Sequence, residues 1–174
     1  MKVCLDVQYT HNQALAAAIL FKDWSESIPT RAVTLPIADV LEYEAGAFYK
    51  RELPCLLAVL GTITEPLEYI LVDSFVFLDQ GFKHGLGARL YMALEQKIPV
   101  IGIAKTDFTG APSIPILRGV SKQALFVSSI GCDMTQAAIW VQQMHGAHRI
   151  PTLLKAVDSL ARGKTQWAAS VADG

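Results

Sequence analysis

The chain has 174 residues, 52% of them apolar, and a formal net charge of −1. That is enough apolar material for the core of one ordinary domain, and too little positive charge for a protein that coats nucleic acid through bulk phosphate neutralisation, so any nucleic-acid site has to be local. The longest apolar runs, "CLLAVLG" and "IPVIGIA", fall well short of the roughly 20 residues that span a bilayer, which excludes a membrane helix.

In chain order, Val3, Leu5 and Val7 alternate with Lys2, Cys4, Asp6 and Gln8, the period of a strand, and place Asp6 in its middle. The turn-like "THNQ" leads into "ALAAAILFKDW" as a hairpin partner, and "TRAVTLP" supplies a third strand. A loop containing Gly46 then opens a helix from about Phe48 to Thr62, in which Pro54 is tolerable because it lies within the first turns. The second half alternates: "YILVD" as a buried strand, "HGLGARLYMALEQK" as a helix, and "IPVIGIAK" as another buried strand, which is parallel α/β grammar. "QALFVSS" is a further strand, Asp133 with Gln136 forms a capping-box pattern ahead of the helix "MTQAAIWVQQMHG", and "RIPTLLKAVDSLARG" is the last helix. No linker divides the chain, so residues 1–164 read as one domain and 165–174 as a flexible tail.

Cys4, Cys55 and Cys132 are odd in number and widely spaced, which suggests neither a disulfide framework nor a zinc site. The first residues lack the apolar stretch and cleavage site of a signal peptide, so the expectation is a cytoplasmic protein. Acidic residues fall mainly in the first half, whereas Lys83, His84, Arg89, Lys97, Lys105, Arg118, Lys122, His145, His148 and Arg149 lie in the second. The pattern allows a basic rim around an acidic centre.

The chemistry begins with carboxylates. Asp6 interrupts a strand otherwise built for burial, and a buried carboxylate needs a cation, hydrogen bonds or a proton to offset its desolvation. Asp73 sits where "YILVD" leaves the carboxyl edge of the sheet, the edge where α/β proteins bind ligands. Glu52 opens a helix that soon becomes strongly apolar. No GxSxG, HExxH, Walker or GxGxxG motif is present. Hard oxygen ligands from separate elements suit Mg²⁺ or Mn²⁺, the ions that phosphodiester hydrolysis uses to activate water and stabilise the leaving oxygen.

The order of "LDVQY", "ALAAAILF", a Y-x-x-G-x-x-x-x-RELP pattern from Tyr43, "ILVD", a Gly/His loop, "IPVIGIAK", "ALFVSS" and "RIP" resembles endonuclease V, the inosine-directed nuclease family with a ribonuclease H-like fold. The resemblance runs through nearly the whole chain. It implies an α/β domain with a mixed central sheet flanked by helices. It also implies that Asp6, Glu52 and Asp73 are metal-binding acids for Mg²⁺, with Mn²⁺ possible, and that Lys105 is a catalytic cation. Tyr43, Gly46 and His84 would be nucleic-acid contacts, Tyr43 as a strand-separating wedge. The implied partner is DNA or RNA carrying a deaminated adenine, cut on the 3′ side one bond beyond the lesion.

Departures accompany the match. Where the family has D-G-x-G-x-x-H-P-R, this chain has the longer "DSFVFLDQGFKHGLG", without a glycine directly after Asp73, and Asp79 is an alternative to Asp73 as the third acid. Side chains in that space imply a weaker inosine preference. Two further readings stand beside the nuclease: a relative that binds nucleic acid or protein without cutting, and a nuclease for unrelated structured nucleic acid.

Overall fold

The computed structural model describes residues 1–42 and 44–164, so the expected tail and Tyr43 lie outside the described residues. The alternation at the start forms β1 (Lys2–Thr10), which turns back as β2 (Gln13–Phe21) and again as β3 (Arg31–Ile37), the three antiparallel strands expected. Next come α1 (Tyr49–Leu60), β4 (Tyr69–Val72), α2 (Leu86–Ala93), β5 (Val100–Ala104), β6 (Ile114–Ile116), β7 (Leu125–Ile130), α3 (Met134–Gln143) and α4 (Thr152–Ala161). They make one mixed sheet ordered β3-β2-β1-β4-β5-β7-β6.

The parallel part is the centre, β1-β4-β5, with Leu5 opposite Val72 and Val72 opposite Gly102. Their inward runs are apolar on both faces because helices cover both. On one face Val3, Leu5, Ile70 and Val100 pack against α1 and α2; on the other Cys4, Leu71, Ile101 and Val127 pack against α3 and α4. Cys4 and Cys55 are buried and all three cysteines are free thiols.

Two details differ from the sequence reading, and a third bears out its mixed sheet. Helix α2 stops at Ala93, and Glu95 and Gln96 take left-handed φ of 55° and 61° rather than continuing to Lys97. The edge strand β6 is an addition, only three residues long and built around Pro115, with no periodicity to betray it. Strand β7 runs antiparallel to β5, so the parallel grammar ends there. The expected cap is present, with Gln136 N–H donating to the Asp133 carboxylate at 2.8 Å. Both outermost strands carry an exposed proline, Pro36 in β3 and Pro115 in β6.

Candidate active site

The parallel register decides which carboxylates meet. Because Leu5 pairs with Val72, the next residues along the two strands are Asp6 and Asp73, side by side at the carboxyl edge. Strand alternation puts Asp6 on the same face as Cys4, the face covered by α4. Glu52 arrives from the other side, on the first turn of α1. The charged opening of that helix separates into three jobs: Lys50 pairs with Glu44 at 2.7 Å, Arg51 stacks its guanidinium 3.9 Å from the Tyr9 ring centroid, and Glu52 is only 8% exposed. The Arg51–Tyr9 contact fixes the start of α1 against the end of β1, so Glu52 is aimed inward by its own neighbour.

Burial and mutual repulsion dominate the electrostatics. Loss of water pushes the Glu52 carboxyl up from an ordinary 4.5 to about 8, with the charges of Asp6 and Asp73 adding to it. Burial likewise pushes Asp6 from 3.8 to about 6; Asp158 and Asp73 add to this, while the Val7 N–H, donating to Asp6 Oδ1 at 2.9 Å, and Lys105 oppose it. Asp73 is half exposed and has found a cation: Lys105 Nζ lies 2.5 Å from its Oδ2. The three predicted acids and Lys105 therefore share one region and one electrostatic field.

Asp79 does not join them. Its carboxylate accepts the Lys83 N–H at 3.0 Å in a separate turn, and neither Asp6 nor Glu52 feels its charge. Among the described residues no three His, Cys, Asp or Glu side chains are gathered tightly enough to enclose an ion unaided. Asp73 is turned to Lys105 instead. The donor set nevertheless suits a hard divalent cation: three oxygen ligands on different elements, two of them holding protons at unusually high pH because burial and, second to it, the neighbouring carboxylates disfavour their charge.

A cavity of about 420 Å³ opens beside Asp6 and Asp73 and is lined by Lys105, His148, Arg149, Lys155, Asp158 and Arg162, among others. The basic rim around an acidic centre is thus present. Asp158, from α4, went unnoticed in the sequence. Its charge reaches Asp6, and it is held by Arg162 at 3.0 Å. In sequence it reads as half of an ordinary i,i+4 surface pair, and only the packing of α4 on β1 brings it to the site.

The rim is anchored by two arginines. Arg118, 4% exposed, donates to the backbone carbonyls of Gln142, Met144, Gly146, His148 and Arg149, among them His148 O at 2.8 Å. It thereby shapes the connection between α3 and α4. Arg149 in turn donates to Lys105 O and to Ala124 O, the latter at 2.6 Å, tying the turn that carries Lys105 to the start of α4.

Of the predicted nucleic-acid contacts, Gly46 lies in an exposed loop at φ 77°, and His84 is exposed and bridged to Phe77 across the loop after Asp73. That loop folds inward at its start. Gly102 permits it, since a Cβ there would stand 2.3 Å from Ser74 O, and Val76 N–H donates to Ser128 Oγ at 3.1 Å. Phe75 and Val76 are buried.

The chain is similar to known proteins along most of its length. Endonuclease V of Rhodospirillum centenum is 25% identical over 187 residues, covering 93% of this chain and 75% of that protein. Endonuclease V of Thermus thermophilus is 30% identical over 116 residues, 64% of this chain and about half (49%) of its own length. Among solved structures, endonuclease V of Streptomyces avermitilis superposes with a TM-score of 0.70 at 25% identity, covering 92% of this chain and 79% of that one. Endonuclease V of Ciona intestinalis, in complex with a 24mer DNA containing an inosine followed by a ribo-adenosine, gives 0.76 at 18% identity, covering 94% and 84%. The seven-stranded mixed sheet is accordingly a ribonuclease H-like fold. The Endonuclease V family model matches residues 3–127, a span that takes in β1, α1, β4 and β5 and so every acid and the lysine just described except Asp158, and by that match the chain belongs to the endonuclease V family of nucleases.

Proposed function

We propose that the protein is a metal-dependent endonuclease that hydrolyses a phosphodiester one bond beyond a deaminated adenine, on its 3′ side, in DNA or RNA. The observation that carries this reading is the crowding of buried acids: Glu52, raised to about 8, feels both Asp6 and Asp73. A divalent cation relieves such crowding, which the site's own residues leave uncompensated.

Asp6, Glu52 and Asp73 would hold the ion, with Asp158 the fourth oxygen donor at the edge of the cavity. When bound, the ion supplies a more acidic water and stabilises the leaving oxygen. Glu52, a carboxylate once the cation has displaced its proton, would be placed to orient a water. Lys105, now paired with Asp73, is placed to exchange that partner for a phosphate oxygen, charge for charge. His148, Arg149 and Lys155 along the cavity offer the local positive field that the overall charge lacks.

Inosine-containing DNA is what the Ciona relative was crystallised with, and deaminated adenine is proposed here by that kinship. A weaker preference for inosine over adenine is proposed because Ser74 and the apolar residues after it stand where the family has glycine. The deciding experiment is cleavage of oligonucleotides differing only by one inosine, with Mg²⁺ or Mn²⁺ at fixed salt. Cutting that needs the ion and is lost in Asp6→Asn supports the reading; no cutting with either ion refutes it. Binding without cutting would leave the non-cutting relative, which the engagement of Asp73 by Lys105 favours.

A further inference from the structure

Two segments leave the carboxyl edge from neighbouring strands, and both carry aromatic rings outward. After β4, residues 76–85 form a small hairpin: Leu78 N–H donates to Lys83 O at 2.8 Å, Gly85 N–H to Val76 O at 2.8 Å, and Phe77 bridges His84. At its tip Phe82 has φ 61°, a left-handed conformation uncommon for a bulky residue, and is 61% exposed. Its ring meets the Phe77 ring edge-on at 5.2 Å, which leaves most of the ring in solvent. After β5, Phe108 is 51% exposed, with its ring 6.3 Å from Phe75, two residues beyond Asp73. Gln80 Nε2 donates to Gly110 O at 3.1 Å, so the two segments are tied to each other.

An exposed phenylalanine forgoes the gain of burial, and a left-handed one adds backbone strain. The contacts with Phe77 and Phe75 offset these costs only in part. Lys83 follows Phe82 in the chain, and Lys105, the partner of Asp73, precedes Phe108 by three residues, with Asp107 between them. Flat apolar faces beside the candidate site, whose cavity is lined by Lys105, Arg149 and Lys155, match one ligand chemistry, unstacked bases on a phosphate backbone.

We propose that Phe82 and Phe108 are stacking platforms for bases of a single-stranded segment, so that this protein takes its substrate from single strands or loops rather than from intact duplex. The identity of the ligand rests on the nuclease reading above. Bases within a duplex have both faces covered by their neighbours and offer nothing to these rings, whereas a strand of either sugar does. The hairpin that replaces the family's shorter loop is then a specificity device of this chain.

The test is binding without cleavage: anisotropy of labelled 12-nucleotide strands in DNA and RNA form, and of the matching duplex, in EDTA at fixed salt, with the full chain. Phe82→Leu and Phe108→Leu, exposed positions whose melting curves should match the wild type, are expected to weaken single-strand binding about tenfold each and duplex binding less than twofold. Phe108→Tyr should restore it. Ultraviolet cross-linking of a 5-iodouracil strand should map to the two rings. Loss on one sugar alone supports the platform and identifies the strand it serves. Unchanged affinity, equal loss on the duplex, or no wild-type binding overturns the proposal. A wild type that binds strands through these rings yet cuts nothing in Mg²⁺ overturns the nuclease reading and leaves the platform standing.

Discussion

Replacing Glu52 by glutamine should make the metal-free protein more stable while removing its activity. The carboxyl is 8% exposed, and its proton affinity rises from 4.5 to about 8 on folding. Between those values the folded protein keeps a proton that the unfolded chain has released. The stability it contributes is therefore complete below pH 4.5 and lost as pH climbs toward 8. At about 1.4 kcal/mol per pH unit the loss is on the order of 3 kcal/mol by pH 7 and on the order of 5 kcal/mol above pH 8. Glutamine has no such dependence, and the less favourable pairing of its amide costs about 1 kcal/mol. The net gain of about 2 kcal/mol at pH 7 corresponds to a Tm roughly 4–8 °C higher for a chain of this size. The assay is thermal melting in EDTA from pH 6.5 to 8.5, a window above the Asp6 value of about 6, repeated with millimolar Mg²⁺. Wild type should lose stability across the window and recover it with Mg²⁺; Glu52→Gln should do neither. A variant that melts lower than wild type at pH 8, or that keeps the wild-type slope, would refute the account of a strained, cation-seeking carboxyl.

Asp6→Asn should abolish cleavage and leave the circular dichroism spectrum unchanged, with a Tm at pH 8 no lower than wild type, because burial penalises the charge it removes. Asp158→Asn should lower Mg²⁺ affinity about 10- to 100-fold, read by titrating cleavage against Mg²⁺, and should also free Arg162. Arg118→Lys should destabilise by roughly 3 kcal/mol, measured by urea unfolding, since an ammonium cannot reach the five carbonyls that the guanidinium fork serves.

What the sequence disclosed and what it hid divide along the reach of each interaction. Asp6 was legible as a carboxylate in the middle of a strand otherwise built for burial, and Asp73 because it ends an apolar run; both signals lie within a few residues. Glu52 was legible only as an oddity, a charge at the head of an apolar helix, until Arg51 on Tyr9 explained its inward aim. Asp158 gave no local sign, since its meaning depends on α4 lying against β1. The grip of Arg149 on Lys105 O spans 44 residues and has no periodicity. The early end of α2 comes from left-handed Glu95 and Gln96, residues whose helix propensity argues the other way, overridden by the turn into β5.

The prolines at the two rims of the sheet bear on how the protein behaves in a crowded solution. An open sheet offers its outer strands as templates for a neighbour's backbone, the route by which β-rich chains stick together. Pro36 and Pro115 each remove a donor from the strand that would be approached, and β6 is only three residues long. Edge-to-edge stacking between copies finds a broken ladder at either end. Mutating Pro36 to threonine would be expected to raise light scattering on standing without altering the melting temperature, because the defect it repairs is one that only another molecule encounters.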